Sequence, residues 1–214
     1  MPERTRMLAI FSKNPVTGQV KTRLAKSIGN EKALEVYEIL RRHTDSVTAL
    51  AKAKRVVFYS DFIPASDIFL NEGAEAKLQD GDDLGERMHN AICDMLESGF
   101  SHVVLIGTDC PDLNAAIIED AFSALENHDA VIGPAKDGGF YLIGLKKSCP
   151  GLFLQRTWST CSVLRETIET LEKKGMSYML LPELQDIDTF EDLKQSRLWN
   201  ENLSCLYLDE YGVQ

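Results

Sequence analysis

The chain has 214 residues, long enough to bury a substantial core and short enough to need only one domain. Apolar residues make up 44% and charged residues 26%, the balance of a globular protein and not of a disordered chain. The formal net charge of −10 argues against a general nucleic-acid binder, which needs a basic face to release counterions, yet leaves room for a small phosphorylated ligand held by a few local cations.

The predicted elements alternate between strand and helix. "RMLAIFSK" (6–13) reads as a buried strand, and "EKALEVYEILRRHTDSVTALAKA" (31–53) as a long amphipathic helix with Leu34, Tyr37, Leu40 and Thr44 near helical spacing. "RVVFYS" (55–60) and the weaker "AEAKLQ" (74–79) are strands. A helix is expected from Leu84 to Glu97, closed by Gly99, then the strand "HVVLIG" (102–107) and the helix "AAIIEDAFSALEN" (115–127). The rhythm then changes. "AVIGP" (130–134) and "FYLIGL" (140–145) are joined by only "AKDGG", too short for a parallel crossover, so a hairpin or an irregular excursion is expected. A helix near 159–173, a strand "SYMLLP" (177–182) and a helix near 190–199 follow. This order predicts an α/β fold with a mostly parallel, Rossmann-like sheet flanked by helices and carrying an antiparallel insertion, in one domain spanning 1–214.

No apolar stretch approaches the roughly 20 residues of a membrane span. The N-terminal "MPERTRMLAIFSK" has charges but no long apolar segment or small-residue cleavage site, so a secretion signal is not expected, and the five cysteines are odd in number, scattered and without a C-x-x-C pair. Reduced thiols in the cytoplasm fit that pattern better than a disulfide framework or a zinc site.

Ligands of such sheets sit outside the carboxyl ends of the strands, so the loops there carry the functional question. After the first strand, "SKNPVTGQVKTRLA" has Pro15 and Gly18 for turning and then Lys21 and Arg23 close to a helix start. It is not a P-loop, because Pro15 and Val20 stand where the two glycines belong. Cations at Lys13, Lys21 and Arg23 are at the wrong end of a helix dipole unless an anion arrives, although the stretch also reads as a solvated basic turn. After the third strand, "QDGDDLGERM" offers Gly81 as a turn and Asp82 or Asp83 as a cap. Gly85 weakens a first helical turn and calls for close approach by another backbone or a ligand; Gln79 and Arg87 are possible contacts. After the fourth strand comes "IGTDCPDL": Asp112 can cap the next helix and Pro111 can turn the chain, which leaves Asp109 at the strand's mouth with no capping role. A carboxylate facing phosphates makes sense with a divalent ion between them. In "ELQDIDTFEDL", Asp188 with Glu191, or Thr189 with Asp192, matches a capping box, and a second carboxylate-rich strand end in the same sheet also makes Asp188 a candidate to share one cation with Asp109. In "GPAKDGGFYLIGL" the glycines form either a hairpin turn or a backbone loop that a substrate approaches closely at Gly138 and Gly139, with Asp137 accepting from hydroxyls.

"FSKNPVTGQVKTRLA", "GDDLGERM", "IGTDCPDL", "GPAKDGGFYLIGL" and "DIDTFEDL", in that order, resemble the DUF2064 proteins, also labelled glycosyltransferase-like or selenodomain-associated transferase 1, of the GT-A nucleotide-diphospho-sugar transferase superfamily. The resemblance runs from Leu8 to Leu193. It implies a GT-A fold, a bound nucleotide or nucleotide-sugar with Mg2+ or Mn2+, and a small-molecule acceptor. It also implies a phosphate-embracing loop at Lys13, Lys21 and Arg23, and metal-holding aspartates at Asp109 and Asp188. The usual glycosyltransferase D-x-D is missing after the fourth strand, where Pro111 makes the motif D-x-x-D; the D-x-D at Asp186 and Asp188 lies in the late segment. The first reading is glycosyl transfer, with Asp109, Lys21 and Asp137 in catalytic roles. Nucleotidyl transfer with release of pyrophosphate, and a non-catalytic nucleotide-binding protein, are the alternatives. A thiol enzyme built on Cys110 lacks a histidine base in any of these loops.

Overall fold

The computed structural model describes residues 5–71, 73–158 and 160–199. In chain order the elements are β1 (Arg6–Ser12), α1 (Thr22–Ile28), α2 (Asn30–Thr48), β2 (Lys54–Tyr59), α3 (Ile68–Asn71), β3 (Glu75–Leu78), α4 (Leu84–Glu97), β4 (His102–Ile106) and α5 (Ala115–Asn127). They continue with β5 (Ala130–Pro134), β6 (Phe140–Leu145), a 3-10 turn at Pro150–Leu152, α6 (Val163–Lys173), β7 (Tyr178–Leu180) and α7 (Phe190–Gln195). The strands form one sheet in the order β3-β2-β1-β4-β6-β5-β7. Only β6 runs against its neighbours: it pairs antiparallel with β4 and with β5, while the other pairs are parallel.

The continuous apolar runs of β1 and β4 follow from burial on both faces. Leu8, Ile10, Val104 and Ile106 pack with Ile118, Phe122 and Leu125 of α5 on one face. Met7, Ala9, Phe11, Val103 and Leu105 pack with Met88, Ile92 and Met95 of α4 and Leu171 of α6 on the other. Each such side chain, fully buried, stabilises the fold by about 1.5–3 kcal/mol relative to exposure. A third cluster joins Leu24 and Ile28 of α1 to Val36 and Leu40 of α2, with Ile187 and Leu193 from the end of the chain.

Several boundaries differ from expectation. α2 stops at Thr48 and not at Ala53, because β2 begins at Lys54 in register with Met7 and residues 49–53 must reverse the chain. α6 spans Val163–Lys173, and the Leu164 N–H in its first turn is held by the Gly138 carbonyl at 2.8 Å. β7 is confined to 178–180, and α7 ends at Gln195, where Ser196 turns extended. The β5–β6 link is a hairpin with a register shift at Gly133/Pro134. Asp83 caps α4 by accepting from the Glu86 N–H, as one of the two expected residues. The cap of α5 is Asn114 and not Asp112, which instead faces Arg197 at 3.3 Å. Thr189 and Asp192 form the capping box of α7.

Candidate functional site

Because β6 is antiparallel, its start lies at the same rim as the carboxyl ends of β1 and β4. There the loops enclose a cleft of about 400 Å³. Of the residues expected at a site, Lys13, Lys21, Gln79, Asp109, Asp137, Gly139 and Asp188 line it, whereas Gly18, Arg23, Arg87 and Gly138 do not.

Two distant segments meet at its floor. The Ile187 N–H donates to the Asp109 carbonyl at 3.0 Å, so the ends of β4 and of the 183–189 stretch are tied backbone to backbone. The Lys21 ammonium bridges them: its Nζ lies 2.6 Å from Asp109 Oδ1 and donates to the Ile187 carbonyl at 2.6 Å. Only 5% of the Lys21 side chain is exposed, against 47% for Asp109. Lys21 also takes a left-handed backbone at φ 47°, costly for a residue with a Cβ, and it precedes α1 without capping it through its side chain. Its side chain points instead into the cleft floor. Arg23 pairs with Asp188 at 2.8 Å across the outer surface. Lys21 and Arg23 of the basic loop are thus each paired with a carboxylate, Asp109 and Asp188.

Asp186 was not singled out by sequence reasoning. In D-I-D, Ile187 is fully buried in the third core cluster, and Asp186 and Asp188 line the cleft beside it. Asp186 Oδ1 is buried and has no hydrogen-bond partner among the described residues. Burial, followed by the negative charge of Asp109, pushes its carboxyl up to about 7; the Lys21 ammonium opposes this, and Asp137 and Asp188 add to it. Tyr37 of α2 is a second addition. Its hydroxyl donates to the Lys13 carbonyl at 3.1 Å and accepts from Thr108 Oγ1 at 3.2 Å, which locks the ends of β1 and β4 together. Burial, and then the charge of Asp109, raise its phenol above the usual value. The signal for both was the i, i+2 aspartates of D-I-D and a tyrosine at a core-facing position of the long helix.

The remaining expected residues hold the loops. Gly18 turns the β1 loop at φ 79°. Arg87 Nε donates to the Gly81 carbonyl at 3.0 Å, and Gln79 Nε2 to the Phe58 carbonyl at 3.0 Å. Gly138, at φ 88°, has no room for a side chain because a Cβ would lie 2.3 Å from the Cys161 carbonyl oxygen. Gly85 is explained the same way: a Cβ there would lie 2.2 Å from the Phe153 carbonyl and 2.3 Å from Trp158 Nε1. Asp137 accepts from the Gly139 N–H at 2.8 Å. Cys110 is buried, and burial lifts its thiol to about 12, so it is a packing residue. Among the described residues no histidine lines the cleft.

Donor chemistry decides whether a divalent ion suits this place. All the candidate donors are carboxylate oxygens, the hard ligands magnesium and manganese prefer, and the partnerless Asp186 Oδ1 is among them. Among the described residues no three His, Cys, Asp or Glu side chains already gather as a ready metal cage. Magnesium does not require one, since one or two carboxylates suffice when phosphate oxygens and water complete the shell. The residues fit such an ion in the company of a phosphorylated ligand.

A family model described as an uncharacterized protein conserved in bacteria, DUF2064, matches residues 43–160, more than half of the chain. The chain belongs to the DUF2064 family. This family member is similar to a solved structure from Desulfovibrio desulfuricans G20, described as a candidate nucleotide-diphospho-sugar transferase. The TM-score is 0.84 at 31% identity, over 95% of this chain and 94% of the other. The 2-phospho-L-lactate guanylyltransferase of Methanocaldococcus jannaschii is 24% identical over 97% of this chain and 90% of its own. Glucosyl-3-phosphoglycerate synthase from Mycobacterium tuberculosis, solved with Mn2+, UDP and glucosyl-3-phosphoglycerate, shares the fold at TM-score 0.51 and 11% identity, over 99% of this chain and 81% of that one. The fold of this DUF2064 protein is thus the nucleotide-diphospho-sugar transferase fold, a mostly parallel sheet flanked by helices, and its relatives are transferases. No helix among its described residues is long and apolar enough to cross a membrane.

Proposed function

We propose that the protein transfers a glycosyl group from a nucleotide-diphospho-sugar to a small acceptor, with a divalent cation. The observation that carries this is the joining of Lys21, Asp109 and the 186–188 aspartates at one point of the cleft. Asp109 and Asp188 are the residues assigned to Mg2+ or Mn2+, which when bound would neutralise the departing diphosphate. Lys21 and Arg23, now paired with those two carboxylates, would be free to turn toward phosphate oxygens if a divalent cation took their place. Lys13 and Gln79 extend the nucleotide side of the cleft. Asp137, at the rim before β6, orients the acceptor hydroxyl and takes its proton as the new bond forms. Enclosure in the cleft strengthens each of these charge interactions relative to water.

Nucleotidyl transfer is the second reading. It is favoured by the near full-length similarity to a guanylyltransferase and by Pro111 interrupting the glycosyltransferase D-x-D. The product separates the two: free nucleoside diphosphate with a glycoside, or pyrophosphate with a nucleotide-linked compound. A thermal-shift panel of nucleotides and nucleotide-sugars with and without Mn2+ tests both, since a ligand at about 100 times its Kd adds about 2.7 kcal/mol of stability. Asp109→Ala is expected to abolish metal-dependent turnover. Wild-type activity and metal dependence in that variant would refute the metal assignment.

A further inference from the structure

The cleft has two unlike halves. Lys13, Lys21, Asp109 and Asp188 make one half ionic. Leu84, Phe140, Trp158 and Val163 make the other apolar, and nothing in the proposed donor chemistry uses them. Trp158 is held there by construction. Phe140 meets its ring edge-on, with centroids 6.2 Å apart and planes at 88°. The missing side chain of Gly85 lets the indole Nε1 edge seat against the first turn of α4, where a Cβ would stand 2.3 Å away. Trp158 is half-buried, packs with Phe140 against the core below, and lines the cleft. Leu84, on the same turn, is 45% exposed. A rigid aromatic-aliphatic surface inside a concave site gains nothing from a diphosphate, and surfaces of this kind mark the seat of an apolar group.

Sheet order says which substrate brings that group. Gln79 follows β3 and Lys13 follows β1, on one side of β4; Phe140 opens β6 and Asp137 precedes it, on the other. A nucleotide lying along the β1 loop leaves the β6 side to the second substrate. We propose that the Trp158–Phe140 wall seats a ring carried by the acceptor, so that the acceptor is a small alcohol with an aromatic or alicyclic body whose hydroxyl reaches Asp137. This rests on the donor reading above.

The chain has two tryptophans, Trp158 and Trp199, and Trp199 packs on Phe190 in the α1–α7 cluster. In a Trp199→Phe background, benzyl alcohol and cyclohexanol are expected to shift Trp158 emission, whereas glycerol leaves it unchanged. By ligand-observed NMR, Trp158→Ala is expected to weaken benzyl alcohol binding about tenfold, the loss that a ring contact of ~1.4 kcal/mol predicts. The same variant should hold UDP and GDP within twofold, and Trp158→Phe, which keeps a ring, should stay within about threefold for benzyl alcohol. Circular dichroism and the thermal midpoint check folding of both variants. Loss of nucleotide affinity in step with benzyl alcohol would place the base on the wall and overturn the proposal, as would an unchanged benzyl alcohol affinity in a folded Trp158→Ala. Benzyl alcohol binding with no nucleotide binding at all would keep the ring site and overturn the donor reading instead.

Discussion

Lys21→Met removes the ammonium that joins Asp109 to Ile187 while keeping most of the aliphatic stem. Two 2.6 Å contacts disappear. The bond to the Ile187 carbonyl is charge-assisted and buried, worth about 1.5–3 kcal/mol. The pair with Asp109 adds little, at most ~1 kcal/mol, because that carboxylate is about half exposed and water replaces the lost partner. Against this stands the relief of no longer holding an ammonium away from water, which offsets part of the loss. The net expectation is a destabilisation of about 1–2 kcal/mol, or roughly 2–8 °C in Tm for a chain of this size. Urea denaturation followed by circular dichroism measures it. Because the ammonium is buried, the deficit should persist at high salt, unlike that of a surface pair. Nucleotide affinity should fall in the same variant, while Mn2+ alone should bind more tightly, since Asp109 no longer has an internal counter-ion. A Lys21→Met protein with wild-type stability and wild-type nucleotide affinity would refute the bridging role.

Gly138→Ala should cost at least ~1 kcal/mol from the left-handed backbone alone, and more from collision with Cys161; a denaturation midpoint equal to wild type would contradict the packing described. Native-state alkylation read by mass spectrometry should modify exposed Cys161 and spare buried Cys110 and Cys149, all becoming reactive in urea; fast labelling of Cys110 in the folded protein would count against its burial. The Ser177 backbone N–H and hydroxyl, with Lys147, hold the Asp129 carboxyl below its usual value. A depressed folded-state value means this contribution is complete above the unfolded carboxyl's pKa of about 3.9 and is lost as pH falls through the folded one. Asp129→Ala should therefore lower Tm at pH 7, with a deficit that shrinks below about pH 3; a deficit independent of pH would show that the charge is not what matters.

Local pattern determined much of this protein. Continuous apolar runs declared β1 and β4 as strands buried on both faces, and the five-residue link between β5 and β6 announced the one antiparallel strand. Those runs also located the loops that line the cleft, because strand ends and loops are read from the same pattern. What the pattern could not convey was partnership between distant residues. Lys21 reads alone as a cation in search of an anion, yet Asp109 and Ile187 supply its partners from distant positions along the chain. Gly85 reads as a point of close approach, and the Phe153 carbonyl and Trp158 supply it; Gly138 reads as a hairpin turn or a loop open to substrate, yet Cys161 fills the space its side chain would occupy. Asp186 reads as half of a D-x-D in the late segment, and only the fold carries that carboxylate into the company of Asp109, Asp137 and Asp188. Hydrophobic period and turn chemistry act over a few neighbouring residues and are written in order along the chain. Charge pairing and steric exclusion act over a few ångströms of space, and only the folded sheet brings positions 21, 109 and 187 within that reach.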